Sequence, residues 1–219
     1  MLEVKNLCVR YNAGDSAPAL SDVSFSLAKG ERIALTGNNG AGKSTLLSAL
    51  VGILLPEQGS VIFDGLELRS GGGSLRDTVD AFRRRIGFVM QNPDDQLFTP
   101  TVYDDIAFGL RSQDAPEEEV GKKVDGVMNA LGIAALKDRL THRLSGGEKR
   151  LATLAGVLVM EPDLLLLDEP ATFLDPPGRE RLIAILAGLD QSMIIATHDL
   201  GMAECLCNRI LRLDRGRIV

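Results

Sequence analysis

Apolar and polar residues alternate along the first part of the chain in short stretches that end at turn-forming residues. A period of two is typical of strands with one buried face, and it predicts strands at 2–11 and 19–27. Short apolar runs predict further, buried strands at 32–36, 60–64, 86–90, 163–167 and 192–196.

Between residues 101 and 160 the spacing of apolar residues becomes helical. Val120, Val124, Val127 and Leu131 recur at intervals of three or four, and three glutamates at 117–119 suit the positive end of a helix dipole. Shorter helices are predicted at 44–51, 76–85 and 179–189. Glycine-rich 66–74 and proline-containing 91–100 are predicted to be loops.

The pattern as a whole predicts an α/β core at 1–91 and 161–219, interrupted by a helical subdomain at about 92–160.

The 219 residues carry a net charge of −6, which disfavours sequence-independent binding of nucleic acid. Three cysteines without a CxxC pair favour reduced thiols in the cytosol. No leader is visible, and the apolar run LLLL is too short to span a bilayer. These features predict a soluble chain that reaches a membrane only through a partner.

The stretch GNNGAGKS at 37–44 matches the phosphate-binding pattern GxxxxGK[ST]. Glycines allow backbone N–H groups to turn toward phosphate oxygens, and the following helix adds its positive end. In this pattern Lys43 reaches the β- and γ-phosphates and Ser44 holds Mg²⁺. A merely flexible glycine loop is the alternative, which the strand before and the helix after it disfavour.

Two further apolar strands end in polar residues. LLLL is followed by Asp168 and Glu169, and IIAT is followed by His198. Because open α/β sheets bind ligands at the carboxyl ends of their strands, we expect Asp168 beside Mg²⁺ and Glu169 to orient and deprotonate water. A contact between His198 and a γ-phosphate is a third expectation. The alternatives are a solvated acidic turn and a structural histidine.

A second candidate phosphate cradle is the stretch LSGGEKR at 144–150. A serine and two glycines precede charged, helix-forming residues, as at the N-terminus of an anion-binding helix. One nucleotide site does not need two such cradles, so the sequence leaves open which phosphate the second one binds.

Taken in order, the motifs resemble those of the ATP-binding-cassette (ABC) ATPases. They are the phosphate loop, Gln91 opening a loop, the LSGGE signature, LLLLDE, the pair Leu174–Asp175, and His198. The resemblance covers the whole chain as one domain, 1–219. It implies a P-loop NTPase core with an antiparallel β subdomain and an inserted α-helical subdomain.

The resemblance also implies a site for ATP with Mg²⁺. The residues implied to contact ATP are Tyr11 (stacking on adenine), Asn38, Asn39, Gly40, Ala41, Gly42, Lys43, Ser44 and Thr45. Those implied to hold Mg²⁺ are Ser44, Gln91 and Asp168, and those implied in catalysis are Glu169, His198 and Gln91.

In this family two cassettes pair head to tail, which answers the question of the second cradle. Ser145 and Gly147 are implied to contact the ATP that is held by the phosphate loop of the partner chain, and Asp175 is implied to contact the partner as well. Phe173 stands where many cassettes carry a smaller residue, and it is expected to alter packing between the two chains.

Short stretches beginning at 91 (QNPDDQLF), 101 (TVYDDIAFGL) and 174 (LDPPGR) are similar to the energy-coupling-factor and cobalt/nickel-type uptake ATPases. This resemblance implies a second ATPase subunit (identical or a close paralogue), a transmembrane coupling protein and a small substrate-capture membrane protein. It implies work at the cytoplasmic face of the cell membrane. The cargo stays open between cobalt, nickel and a vitamin such as biotin.

Two other function classes remain as alternatives. A soluble ABC ATPase acting on DNA or ribosomes usually carries two cassettes or a long coiled-coil insertion, and this acidic chain has neither. A phosphate-loop kinase or GTPase has no use for LSGGE, and no NKxD-type stretch is present. The sequence therefore favours a transport ATPase without a nucleic-acid partner.

Overall fold

Two β-sheets organise the computed structural model, which describes residues 1–12, 17–70, 75–172 and 174–219. The strands are β1 (Leu2–Val9), β2 (Leu20–Leu27), β3 (Arg32–Thr36), β4 (Gln58–Phe63), β5 (Leu66–Arg69), β6 (Ile86–Val89), β7 (Leu164–Asp168), β8 (Ser192–Ala196), β9 (Arg209–Asp214) and β10 (Arg217–Ile218). One sheet has the order β2-β1-β4-β5 and the other the order β10-β9-β3-β8-β7-β6.

The four-stranded sheet is antiparallel and one of its faces packs on the core, which explains the alternating sequence. In β1 the side chains of Leu2, Val4, Leu7 and Val9 are buried. The interval of three between Val4 and Leu7 is absorbed by an irregularity in pairing, where Asn6 has a left-handed φ of 46°. The bulge keeps all four side chains on the core face.

The centre of the six-stranded sheet is parallel, and its strands are unbroken apolar runs because both faces are covered. β3 pairs with β8, and β8 pairs with β7, in a register that aligns Leu35, Ala196 and Asp168 at the carboxyl ends. Whatever follows these three strands therefore emerges at one edge of the sheet, where ligands bind in open α/β folds.

The helices are α1 (Lys43–Leu50), α2 (Leu75–Arg85), α3 (Val102–Arg111), α4 (Glu117–Ala130), α5 (Gly146–Leu158), α6 (Pro176–Ala187) and α7 (Leu200–Leu206). No helix of the described segments is both long and apolar enough to cross a membrane. On α4 the buried face is formed by Val120, Val124 and Met128, while Val127 is half-buried, because a spacing of four stays closer to one face of the helix.

The chain divides into two compact units. The first contains Met1–Phe88, Asp163–Glu169 and Asp190–Val219, and the second contains Val89–Pro162 and Pro170–Leu189. The second unit therefore includes α6 in addition to the helical subdomain predicted at 92–160. The sequence did not predict that α6 belongs to the second unit. Periodicity shows which face of a helix is buried, but it does not show which other element covers that face.

Strands β9 and β10 were not predicted, and two other local predictions differ from the structure by more than two residues. The predicted loop 66–74 begins with strand β5, because Leu68 is buried and pairs with Val61 of β4; residues 71–74 lie outside the described part of the chain. The helix predicted at 179–189 starts earlier, since the side chain of Asp175 accepts the N–H of Gly178 at 3.0 Å and a proline occupies the first turn.

Candidate functional site

The phosphate loop joins β3 to α1 in the first unit, and its shape requires glycine. Gly37, Gly40 and Gly42 all have positive φ angles, of 147°, 77° and 106°. A Cβ atom on Gly37 would lie 2.2 Å from the backbone oxygen of Leu213, so no larger residue fits there. The loop is thus tightly wound, and its glycines leave the backbone N–H groups accessible to a ligand.

The N-terminus of α1 is open to an anion. Its N-cap is Gly42, which provides no side-chain cap, and its first turn contains no acidic residue. The N–H groups of a first helical turn lack partners within the helix and carry the positive end of its dipole. A phosphate fits this position, because it supplies the acceptors that the cap does not.

Lys43 is the cation of this cradle. Only 7% of the residue is exposed, and its Nζ donates to the backbone oxygen of Gly37 at 2.9 Å. The Nζ also lies 3.5 Å from the backbone oxygen of Asn38 and 3.8 Å from Oε1 of Glu169. A buried ammonium needs such partners, and phosphate oxygens can take the place of the carbonyl when a nucleotide binds.

Glu169 is held at the carboxyl end of β7 in a strained backbone conformation. Its φ is +44°, which non-glycine residues rarely adopt, and its N–H donates to the backbone oxygen of Ala196 at 2.8 Å. The carboxylate is buried, and its Oε2 lies 2.8 Å from Nδ1 of His198. A carboxylate fixed in this way beside a phosphate cradle can accept a proton from water.

His198 therefore has a partner that the sequence did not reveal. The expected contact is with a γ-phosphate, whereas in the structure its backbone N–H (3.3 Å) and its ring both contact Glu169. The imidazole is otherwise exposed, so it can also face a ligand. The two residues meet because β7 and β8 are neighbours, although 29 positions separate them along the chain.

Tyr11 lies against the first turn of α1. Its hydroxyl is 2.7 Å from Oγ1 of buried Thr45, and more than half of the tyrosine is exposed. The sequence predicted both residues at the nucleotide, and the structure brings them together. An exposed ring anchored at the edge of the phosphate cradle is placed to stack on a base.

The oxygen donors Ser44 and Asp168 fit magnesium, which prefers hard oxygen ligands and keeps several waters. Ser44 follows Lys43 in the first turn of α1, and Asp168 is the last, buried residue of β7. Within the described residues no cluster of three or more His, Cys, Asp or Glu side chains could hold a metal by itself.

In the second unit, the signature stretch forms the N-terminus of α5 with a capping box. The hydroxyl of Ser145 accepts the N–H of Glu148 at 3.3 Å, and Glu148 Oε2 accepts the N–H of Ser145 at 2.8 Å. This backbone bond, together with Arg139 at 2.7 Å, lowers the pKa of Glu148. The N–H of Gly147, in the first turn, keeps no acceptor within the helix.

Gln91 also belongs to the second unit, where its side chain is exposed and its backbone oxygen accepts from Arg150. Asp175 uses Oδ1 to cap α6. Phe173 lies outside the described residues. The role of Arg150, a fully buried cation, was not predicted, because an arginine in a charged stretch carries no sequence signal of burial.

Comparisons with known proteins agree with this geometry. The model of the ABC transporter family matches residues 20–172. The energy-coupling factor transporter ATP-binding protein EcfA2 of Methanospirillum hungatei is 41% identical over 222 residues, an alignment that covers this whole chain and 54% of that protein. This chain thus spans about half the length of that relative.

Two solved structures extend the likeness. The protein cbiO1 from Clostridium perfringens, part of the ABC transporter complex cbiONQ, is 40% identical with a TM-score of 0.85, covering 100% of this chain and 86% of its own. The ATP-binding cassette MJ0796, in a dimeric post-hydrolysis state bound to ADP and Pi, is 25% identical with a TM-score of 0.89, covering 100% and 96%. The chain therefore has the ABC ATPase fold and belongs to the ABC transporter family, as an ATPase similar to the ATP-binding proteins of energy-coupling-factor transporters.

Proposed function

We propose that this chain is the ATP-hydrolysing subunit that powers a membrane importer of the energy-coupling-factor type. The observation that carries the proposal is buried Glu169, held between His198 and Lys43 beside the phosphate loop. The cargo is a transition-metal ion such as cobalt or nickel, or a vitamin such as biotin, and another chain recognises it. The likeness to cbiO1 supports this branch of the family.

In the proposed mechanism, Lys43 exchanges the oxygen of Gly37 for the β- and γ-phosphate oxygens of ATP. Glu169 orients the attacking water and accepts its proton, while His198 fixes the carboxylate at Oε2. Ser44 and Asp168, with the side chain of Gln91, hold Mg²⁺. When bound, the ion neutralises negative charge on the phosphates.

We further propose that two ATPase subunits, identical or closely related, act together. Ser145 and Gly147 at the start of α5 bind the γ-phosphate of the ATP held by the other subunit, and Asp175 contacts that subunit. The N–H of Gly147 lies in the first helical turn and has no acceptor within the helix, which supports an anion at this position. Binding of ATP then joins the subunits, and hydrolysis releases them.

An exposed aromatic pair in the second unit supports a protein partner at the cytoplasmic face of the membrane. Phe98 is 65% exposed and Phe108 is 49% exposed, and their rings meet edge to face with centroids 4.7 Å apart. Large exposed aromatic residues that adjoin each other are typical of interaction surfaces. We assign this pair to the transmembrane coupling protein, which in turn works with the small substrate-capture protein.

Co-purification tests the transport function. Tagged Glu169→Gln, expressed at native level and extracted gently from membranes with ATP present, should retain a polytopic membrane protein together with a small membrane partner. The small partner would then indicate the cargo. A matched variant that also carries Phe98→Ser should lose both membrane proteins. Recovery of ribosomal or DNA-repair proteins without any membrane protein would instead establish the soluble alternative.

Substitution of Tyr11 tests the adenine contact. Tyr11→Ala should weaken ATP binding by about 1–3 kcal/mol, the scale of stacking between a base and an aromatic ring. Tyr11→Phe keeps the ring and loses only the bond to Thr45, so it should retain most of the affinity. Titration calorimetry with ATP measures both variants, and unchanged affinity in Tyr11→Ala would remove Tyr11 from the site.

A further inference from the structure

The largest fully buried side chain among the described residues is a cation that the proposed mechanism does not use. Arg150, in the second turn of α5, is 1% exposed. Its Nη1 donates to the backbone oxygen of Met90 at 2.7 Å, and its Nη2 donates to that of Gln91 at 2.5 Å. The guanidinium thus joins the signature helix to the main chain of a residue that we place at the nucleotide.

Lys149, which precedes Arg150, contacts the same loop, 90–96, at a different residue. Lys149 Nζ lies 2.5 Å from Oδ1 of Asp94, three residues beyond Gln91. The segment is also closed on itself, because the side-chain oxygen of Gln96 accepts the N–H of Met90 at 3.1 Å. Two consecutive cations of α5 therefore hold a short, internally bonded loop from one side. All of these residues lie within the second unit.

The two cations, Arg150 and Lys149, constrain the loop differently. The guanidinium is a planar fork, so two parallel donors to consecutive carbonyls set both the position and the orientation of the backbone. A lysine ammonium is a compact point charge that holds distance but not orientation. Arg150 accordingly determines where the main chain of Gln91 lies, and Lys149 reinforces the loop.

We infer that Arg150 is a positioning residue that makes Gln91 and the signature helix move as one body, an inference that rests on the proposed function. Ser145 caps the helix on which Arg150 lies, and only five positions separate them. Engagement of Ser145 by the ATP of one subunit therefore sets the position of Gln91, which serves the ATP of the other. Arg150 touches neither nucleotide and acts through the backbone of Gln91.

The test is a double-mutant cycle on the purified full-length chain, with the variants Arg150→Lys, Gln91→Ala and their combination. The readouts are turnover and the Mg²⁺ concentration that gives half-maximal ATPase activity, because Gln91 is a proposed contact of the ion. Arg150→Lys should raise that concentration at least about threefold, as for coupled neighbours. In the Gln91→Ala background the same substitution should have no further effect on either readout.

Arg181→Lys is the matched control. Its Nη2 also donates to two consecutive backbone oxygens of the second unit, those of Leu131 and Gly132, at 2.7 and 3.1 Å. It should leave the Mg²⁺ dependence unchanged even where it lowers the melting temperature. A purely structural role of Arg150 would make the two lysine variants behave alike.

The outcomes are distinguishable. Additive effects of Arg150→Lys and Gln91→Ala, or an unchanged Mg²⁺ dependence of folded Arg150→Lys, would overturn the inference and leave the ATPase function intact. Should Arg150→Lys fail to fold, Lys149→Met, whose ion pair with Asp94 is partly exposed, decides the matter: a smaller shift in the same direction supports the inference and no shift overturns it. Absence of Mg²⁺-dependent ATPase activity in the unmodified chain would overturn the proposed function and this inference with it.

Discussion

Glu169→Gln is expected to bind ATP but to hydrolyse it at least about a hundred times more slowly than the unmodified chain, because general-base catalysis contributes about 10²–10⁴-fold. Glutamine has nearly the same shape but cannot accept the proton of water. The bond to His198 can persist through the amide, so the geometry of the site should be retained. Release of phosphate under saturating ATP and Mg²⁺ measures the loss.

The same variant should form a dimer when ATP is added, since the bound nucleotide would no longer be hydrolysed. Light scattering with and without ATP detects the dimer. Glu57→Gln is the control, because that carboxylate belongs to the same unit, is 45% exposed and pairs with Arg10 and not with Lys43 or His198. Turnover close to that of the unmodified chain in Glu169→Gln would refute the role of this carboxylate as the base.

Lys43→Ala should lose nearly all affinity for ATP. Hydrogen bonds from a charged group are worth about 1.5–3 kcal/mol each, and two phosphates are contacted, so the dissociation constant should rise about 10²–10⁴-fold. The buried site magnifies the effect, because little solvent can replace the ammonium beside the phosphates. Calorimetric titration with ATP measures the change.

Folding must be checked alongside binding in Lys43→Ala, since the Nζ also holds the backbone oxygen of Gly37. A circular dichroism spectrum like that of the unmodified chain shows that the loss belongs to the site. Lys29→Ala removes an exposed lysine of the same unit and should bind ATP normally. Binding of ATP by Lys43→Ala with unaltered affinity would contradict the assignment of the phosphate loop.

Local patterns in the sequence predicted most of the fold. Strands β3, β7 and β8 were predicted from short apolar runs, because a strand covered on both faces has no polar position to interrupt it. The phosphate loop was recognisable because a turn of this shape needs glycines at particular places, as the 2.2 Å contact at Gly37 shows. Strand β5 was missed because residues 66–74 were interpreted together, and the glycines from 71 onward made the whole stretch resemble a loop.

What the sequence by itself determined is the type of each element and the chemistry at its end, since backbone preference and periodicity are local properties. Only the tertiary structure decided which of these ends meet. Glu169 is paired with His198 because their strands are neighbours, and Arg150 is buried against the oxygens of Met90 and Gln91, about sixty positions away, because a helix returns to an earlier loop. Such contacts depend on packing between segments that are far apart in the sequence, and this packing does not affect the local spacing of apolar residues.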